Sequence, residues 1–70
     1  MQRQPVTSTN MRSVGYDAST QTLEVEFGDG AVYEYYDVPP AVHVGLMQAT
    51  SQGSYLHRYI RDRYAYRRVS

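Results

Sequence analysis

The chain has 70 residues with seven arginines, no lysine, seven carboxylates, two histidines and no cysteine. That length allows one small domain, and a chain of this size buries only about 60% of the surface its unfolded form exposes, which argues against a deep enclosed active site. Absence of cysteine excludes disulfides and thiolate metal sites, so the apolar core alone must hold the fold. Aliphatic residues plus phenylalanine number only thirteen (eight Val, three Leu, Ile60 and Phe27), and eight tyrosines supply the remaining apolar area.

Neutrality of the whole conceals a division along the chain. Residues 1–12 carry Arg3 and Arg12 and no acid, for +2. Residues 13–56 carry Asp17, Glu24, Glu26, Asp29, Glu34 and Asp37 with no base, for −6. Residues 57–70 carry five arginines against Asp62, for +4. Such asymmetry suits an anionic partner for the basic end, or a fold in which that end returns onto the acidic middle.

In chain order, residues 1–10 are polar and read as a flexible or extended lead-in, with no apolar run that would mark a signal peptide. No segment approaches the ~18–20 apolar residues that cross a bilayer, so a soluble, cytoplasmic protein is expected. Residues 11–70 are expected to form the single domain. Met11 to Asp17 reads as a strand with Val14 and Tyr16 on one face, and Asp17 to Gln21 supplies turn residues. Leu23, Val25 and Phe27 alternate with Glu24 and Glu26, the pattern of a half-buried antiparallel strand. Gly28-Asp29-Gly30 predicts a tight hairpin, and Ala31 to Val38 the return strand, with Tyr33 and Tyr35 sharing a face.

Pro39-Pro40 ends the strands and opens a helix over Ala41 to Ala49, weakened by Gly45. Ser51 or Ser54 caps a second helix over Tyr55 to Arg63, whose apolar stripe is Leu56, Tyr59, Ile60 and Tyr64. Tyr64 to Val69 alternates again and predicts a short basic strand or arm. The expected fold is α+β: a three-stranded antiparallel meander, then two short helices on one face.

A set of motifs carries a resemblance. Val14-Gly15-Tyr16-Asp17 and Leu23-Glu24-Val25-Glu26-Phe27 precede Tyr33-Glu34-Tyr35 and Val38-Pro39. Ser51-Gln52-Gly53-Ser54-Tyr55, Ile60-Arg61 and Tyr64-Ala65-Tyr66-Arg67-Arg68 follow. Over residues 6–69 the chain resembles the KTSC domain, named for its occurrence at the C-terminus of some lysyl-tRNA synthetases and present also as small bacterial and phage proteins. The resemblance implies no established activity; its synthetase association suggests RNA binding. Its hallmark positions map to Tyr33, Tyr35 and Gly53-Ser54-Tyr55, while Ala65 stands where a proline is common.

The residues themselves point to binding rather than catalysis. Arg58, Arg61, Arg63, Arg67 and Arg68 are interleaved with Tyr55, Tyr59, Tyr64 and Tyr66, and single-stranded nucleic acid needs cations for phosphates and flat rings for bases. In this reading Arg61, Arg67 and Arg68 contact phosphate, Arg58 and Arg63 support them, and Tyr55 or Tyr66 stacks. The plainer alternative makes the tyrosines a helix core stripe and Arg58–Asp62 an i,i+4 pair. Tyr33 and Tyr35 share a strand face and would suit base stacking on an open sheet. If Leu23, Val25 and Phe27 share that face the rings are core, which is the expected reading, since the acidic opposite face repels phosphate. His43 and His57 lack further ligands at metal spacing, so neither a metal nor a cofactor is expected. Ser51, Ser54, His57 and Asp62 match no catalytic motif, and an enzyme is not expected. The competing function is a protein-interaction or self-association module that docks its basic end on an acidic surface.

Overall fold

The computed structural model describes all 70 residues. Five strands form one antiparallel sheet in chain order: β1 (Arg3–Pro5), β2 (Met11–Asp17), β3 (Thr22–Phe27), β4 (Val32–Tyr35) and β5 (Tyr66–Arg68). Two helices, α1 (Pro40–Gln48) and α2 (Gln52–Tyr59), lie between β4 and β5 in the chain. The α+β class and the central three-stranded meander are as expected, and the short basic terminal segment is a strand, β5, at one edge of the sheet; β1 at the other edge is an addition.

Strand β1 falls inside the supposed flexible lead-in. It has no apolar pattern, and backbone pairing to β2 holds it, with Arg3 opposite Gly15 and Pro5 opposite Ser13. Gly15 is required here: a Cβ would sit 2.6 Å from the Gln2 carbonyl oxygen. A register shift between Met11 and Ser13 lets Met11 and Val14, three apart, both face the core.

The β3–β4 loop is a three-residue hairpin in which Gly30 alone takes a positive φ of 91°. Gly30 N–H donates to Phe27 O, and the Asp29 carboxylate accepts from Ala31 N–H at 3.0 Å. At the other end of the sheet, Tyr16 hydroxyl donates to Val38 O, tying the end of β2 to the chain entering α1.

Pro40 occupies the first position of α1, where its missing N–H costs nothing. Gly45 lies mid-helix, a site where glycine costs about 1 kcal/mol against alanine. Its reason is contact: a Cβ there would collide with the Tyr55 hydroxyl, so the glycine lets α2 lie close. Ser51 caps α2, accepting from Ser54 N–H at 3.3 Å. The helix begins three residues earlier than the apolar stripe indicated and ends at Tyr59, four before Arg63. The N–H groups of Ile60 and Arg61 both return to Leu56 O, closing the helix in a turn.

The core is a single cluster of Met11, Val14, Leu23, Val25, Tyr35, Val38, Leu46, Leu56 and Ile60 between sheet and helices. Tyr35 is 3% exposed and belongs to it, while Tyr33 is half-buried at its margin. His43 of α1 stacks on Tyr16 with ring centroids 4.6 Å apart, and burial pushes its imidazole pKa below the ordinary value.

Candidate functional site

Alternation along β5 sends its residues to opposite sides of the sheet. Tyr66 pairs with Tyr35 and Arg68 with Tyr33, so both face the helices. Arg67 pairs with Glu34 and faces the other way. This parity divides the basic end of the chain between two surfaces of opposite character.

The outer surface is acidic and largely satisfied by its own contacts. Glu24 and Glu34 are directly opposed across β3 and β4. Arg3 forms an ion pair with Glu24 at 3.1 Å and donates from Nε to Ser13 Oγ, which in turn donates to Glu26. Tyr36 hydroxyl donates to Glu34 at 3.1 Å. Burial, that hydrogen bond and the Glu34 charge raise the Tyr36 phenol pKa, and the guanidinium of Arg67 opposes the rise. Arg67 therefore serves the acidic face as a local counter-charge.

The inner surface is different. The helices cover only part of it, and at the β4–β5 corner the floor emerges into an open groove of about 1190 Å³. Phe27, Tyr33, Tyr35, Tyr66 and Arg68 lie along the floor. Their rings form a connected array: Phe27 to Tyr33 edge-on at 5.6 Å, Tyr33 to Tyr66 at 5.9 Å, and Tyr35 to Tyr66 at 5.8 Å. Tyr66 is 58% exposed, so its ring is available to a ligand, whereas Tyr35 is its buried support. Arg68 is held in place by its Nε donating to Ser70 O at 3.0 Å.

One wall comes from α2 and the turn after it, through His57, Arg58, Arg61 and Asp62. Burial raises the Tyr35 phenol pKa, opposed by the Arg61 guanidinium, while Tyr33, Tyr66 and Asp62 raise it further. Arg61 and Asp62 line the same groove as the aromatic floor. The other walls are residues 7–10, the tip of the β3–β4 hairpin and the start of α2. Gly53 permits that approach, since a Cβ there would lie 3.3 Å from the Asn10 amide nitrogen.

Arg58, Arg61, Arg68 and Tyr66 thus meet in one groove. Arg67 lies on the opposite face. Arg63 is exposed in the turn after α2 and does not line the groove. Tyr55 is half-buried between the helices, against Gly45 and 4.8 Å from Tyr59, and does not reach the groove either. The Arg58–Asp62 helical pair does not form, because α2 has ended before Asp62; neither residue has an ion-pair partner. Groove residues that sequence reasoning passed over include Phe27, Asn10 and Gln52. Phe27 was legible as an alternation partner of Leu23 and Val25, but its place beside a groove depends on where the helices stop.

Comparison with known proteins agrees with the arrangement of motifs. The KTSC domain model matches residues 7–64. The chain belongs to the KTSC domain family. A crystal structure of a KTSC domain protein from Yersinia pestis superimposes with a TM-score of 0.96 at 35% identity, covering 99% of this chain and 97% of that one. A protein of Stutzerimonas stutzeri is 41% identical over 70 residues, 99% of each chain. A lysine–tRNA ligase of Trichormus variabilis is 44% identical over 55 residues, which are 79% of this chain and 10% of the ligase. The KTSC domain therefore occurs both as a chain of this size and as a small part of a much longer ligase. No helix in this domain is long and apolar enough to cross a membrane.

Proposed function

We propose that this KTSC domain is a binding module for single-stranded RNA, and that the groove at the β4–β5 corner holds the strand. The observation that carries the reading is the arrangement of rings and arginines on one open surface. Tyr66 and Tyr33 offer stacking faces on adjacent strands, and Arg58, Arg61 and Arg68 surround them without carboxylate partners. Unpaired bases stack on such rings, and guanidinium groups neutralise the phosphates between them. The likeness to a segment of lysine–tRNA ligases, enzymes whose name includes an RNA, supports RNA over DNA.

The acidic outer face excludes the strand from the other side of the sheet, so the ligand has one surface to use. The test is fluorescence anisotropy with a labelled unstructured RNA over a salt series. Three phosphate contacts predict a log–log slope of roughly −2 for affinity against salt. Undetectable binding at low salt, together with a concentration-dependent dimer in light scattering, would replace this reading with self-association.

A further inference from the structure

The groove contains a feature that a simple phosphate channel does not need. Asp62 lies in its wall, next to Arg61 in the chain, and it pairs with no cation. A free carboxylate repels a polyanion. The hairpin's Asp29 also lines the groove, but its carboxylate is committed to Ala31 N–H. Asp62 has no hydrogen-bond partner of its own, because the end of α2 at Tyr59 takes it off the helical face that Arg58 occupies.

We propose that Asp62 reads a base, and that the base is guanine. This rests on the RNA-binding reading above. A carboxylate accepts hydrogen bonds and donates none at neutral pH. Of the four RNA bases, guanine alone presents two adjacent donors, N1–H and the N2 amino group, on its Watson–Crick edge. Adenine and cytosine offer one amino group beside an acceptor nitrogen, and the uracil N3–H is flanked by two carbonyl oxygens. Each of those places a lone pair against the carboxylate. A guanine ring stacked on the exposed Tyr66 would turn its edge toward the wall, where Asp62 accepts both protons. Arg61 and Arg68, which line the same groove, hold the flanking phosphates and offset the charge of the reader.

Asp62 is then a specificity residue, and the arginines supply affinity. The probes are labelled seven-residue RNAs, oligouridine with a single central guanine, adenine or inosine, titrated in moderate salt. The guanine strand is expected to bind about tenfold more tightly than the adenine strand, with inosine, which lacks the N2 amino group, between them. Asp62→Asn removes the doubly accepting group and is expected to erase the difference while leaving the oligouridine affinity unchanged or higher. Arg61→Ala is expected to weaken all strands alike and keep the ranking. Equal affinity for guanine and adenine strands, or a preference that survives in Asp62→Asn, overturns the guanine assignment and leaves the RNA-binding reading standing. Absence of binding to every strand at low salt overturns both. Asp62 is exposed in a turn, so its variant should fold, and an unchanged melting temperature checks this.

Discussion

The two faces of the sheet are built from the same five strands, yet they behave as different surfaces. On the outer face, Glu24, Glu26 and Glu34 are held by Arg3, Ser13 and Tyr36, with Arg67 beside them. On the inner face, the residues of alternate parity make a dry core beneath the helices and an open aromatic corner where the helices end. Arg67 and Arg68 are neighbours in sequence and belong to these two worlds. A charge count along the chain groups them; strand geometry separates them. The comparison teaches that the basic end is neither wholly internal nor wholly free.

The inner face should itself divide into a structural and a binding part. Leu46→Ala empties a fully buried site under the sheet and is expected to cost about 2–5 kcal/mol in denaturant unfolding. Tyr66→Ala, on the same side but at the open corner, is expected to cost about 0.5–1.5 kcal/mol while abolishing most RNA binding in anisotropy. Equal losses of stability would erase the boundary between core and groove. Removal of the α2 cap by Ser51→Ala is expected to cost about 1 kcal/mol of stability, read from the shift of the urea midpoint.

Smaller effects belong to the periphery. Glu24→Gln breaks the partly exposed pair with Arg3 at the sheet edge and should cost about 1 kcal/mol, a loss that shrinks in high salt. The melting temperature should also fall slightly as pH drops through histidine's ordinary value of 6.5. Folding lowers the pKa of His43, so below that pH the unfolded chain binds more protons than the folded one and stability declines. His43→Phe keeps a ring on Tyr16 and should remove that decline.

Much of the fold was readable from residue patterns. Alternation in residues 22–27 and the glycines that follow specified the central hairpin, and Tyr33 and Tyr35 fell on the core side because Val25 and Leu23 lie directly opposite them. Strand β1 was invisible because Arg3-Gln4-Pro5 has no apolar parity; backbone pairing and one ion pair hold it. The end of α2 was misplaced because Ile60 and Tyr64 continue a helical stripe that the backbone has already left. That one error paired Arg58 with Asp62 and obscured the groove wall. The site was half legible for a related reason. Arg58, Arg61, Arg68 and Tyr66 could be named from composition, but excluding Arg67 required knowing that β5 is a strand and in which register, and excluding Tyr55 required knowing that it packs on Gly45.

The central claim is that one face of the sheet binds and the other does not, and the adjacent arginines test it most directly. Salt-dependent anisotropy with a labelled single-stranded RNA should be compared for Arg68→Ala and Arg67→Ala. Arg68→Ala is expected to weaken binding several-fold and reduce the magnitude of the salt slope by about 0.7, the share of one phosphate contact on a single strand. Arg67→Ala is expected to leave both affinity and slope close to wild type. Equal losses from the two substitutions, or a larger loss from Arg67→Ala, would contradict the account.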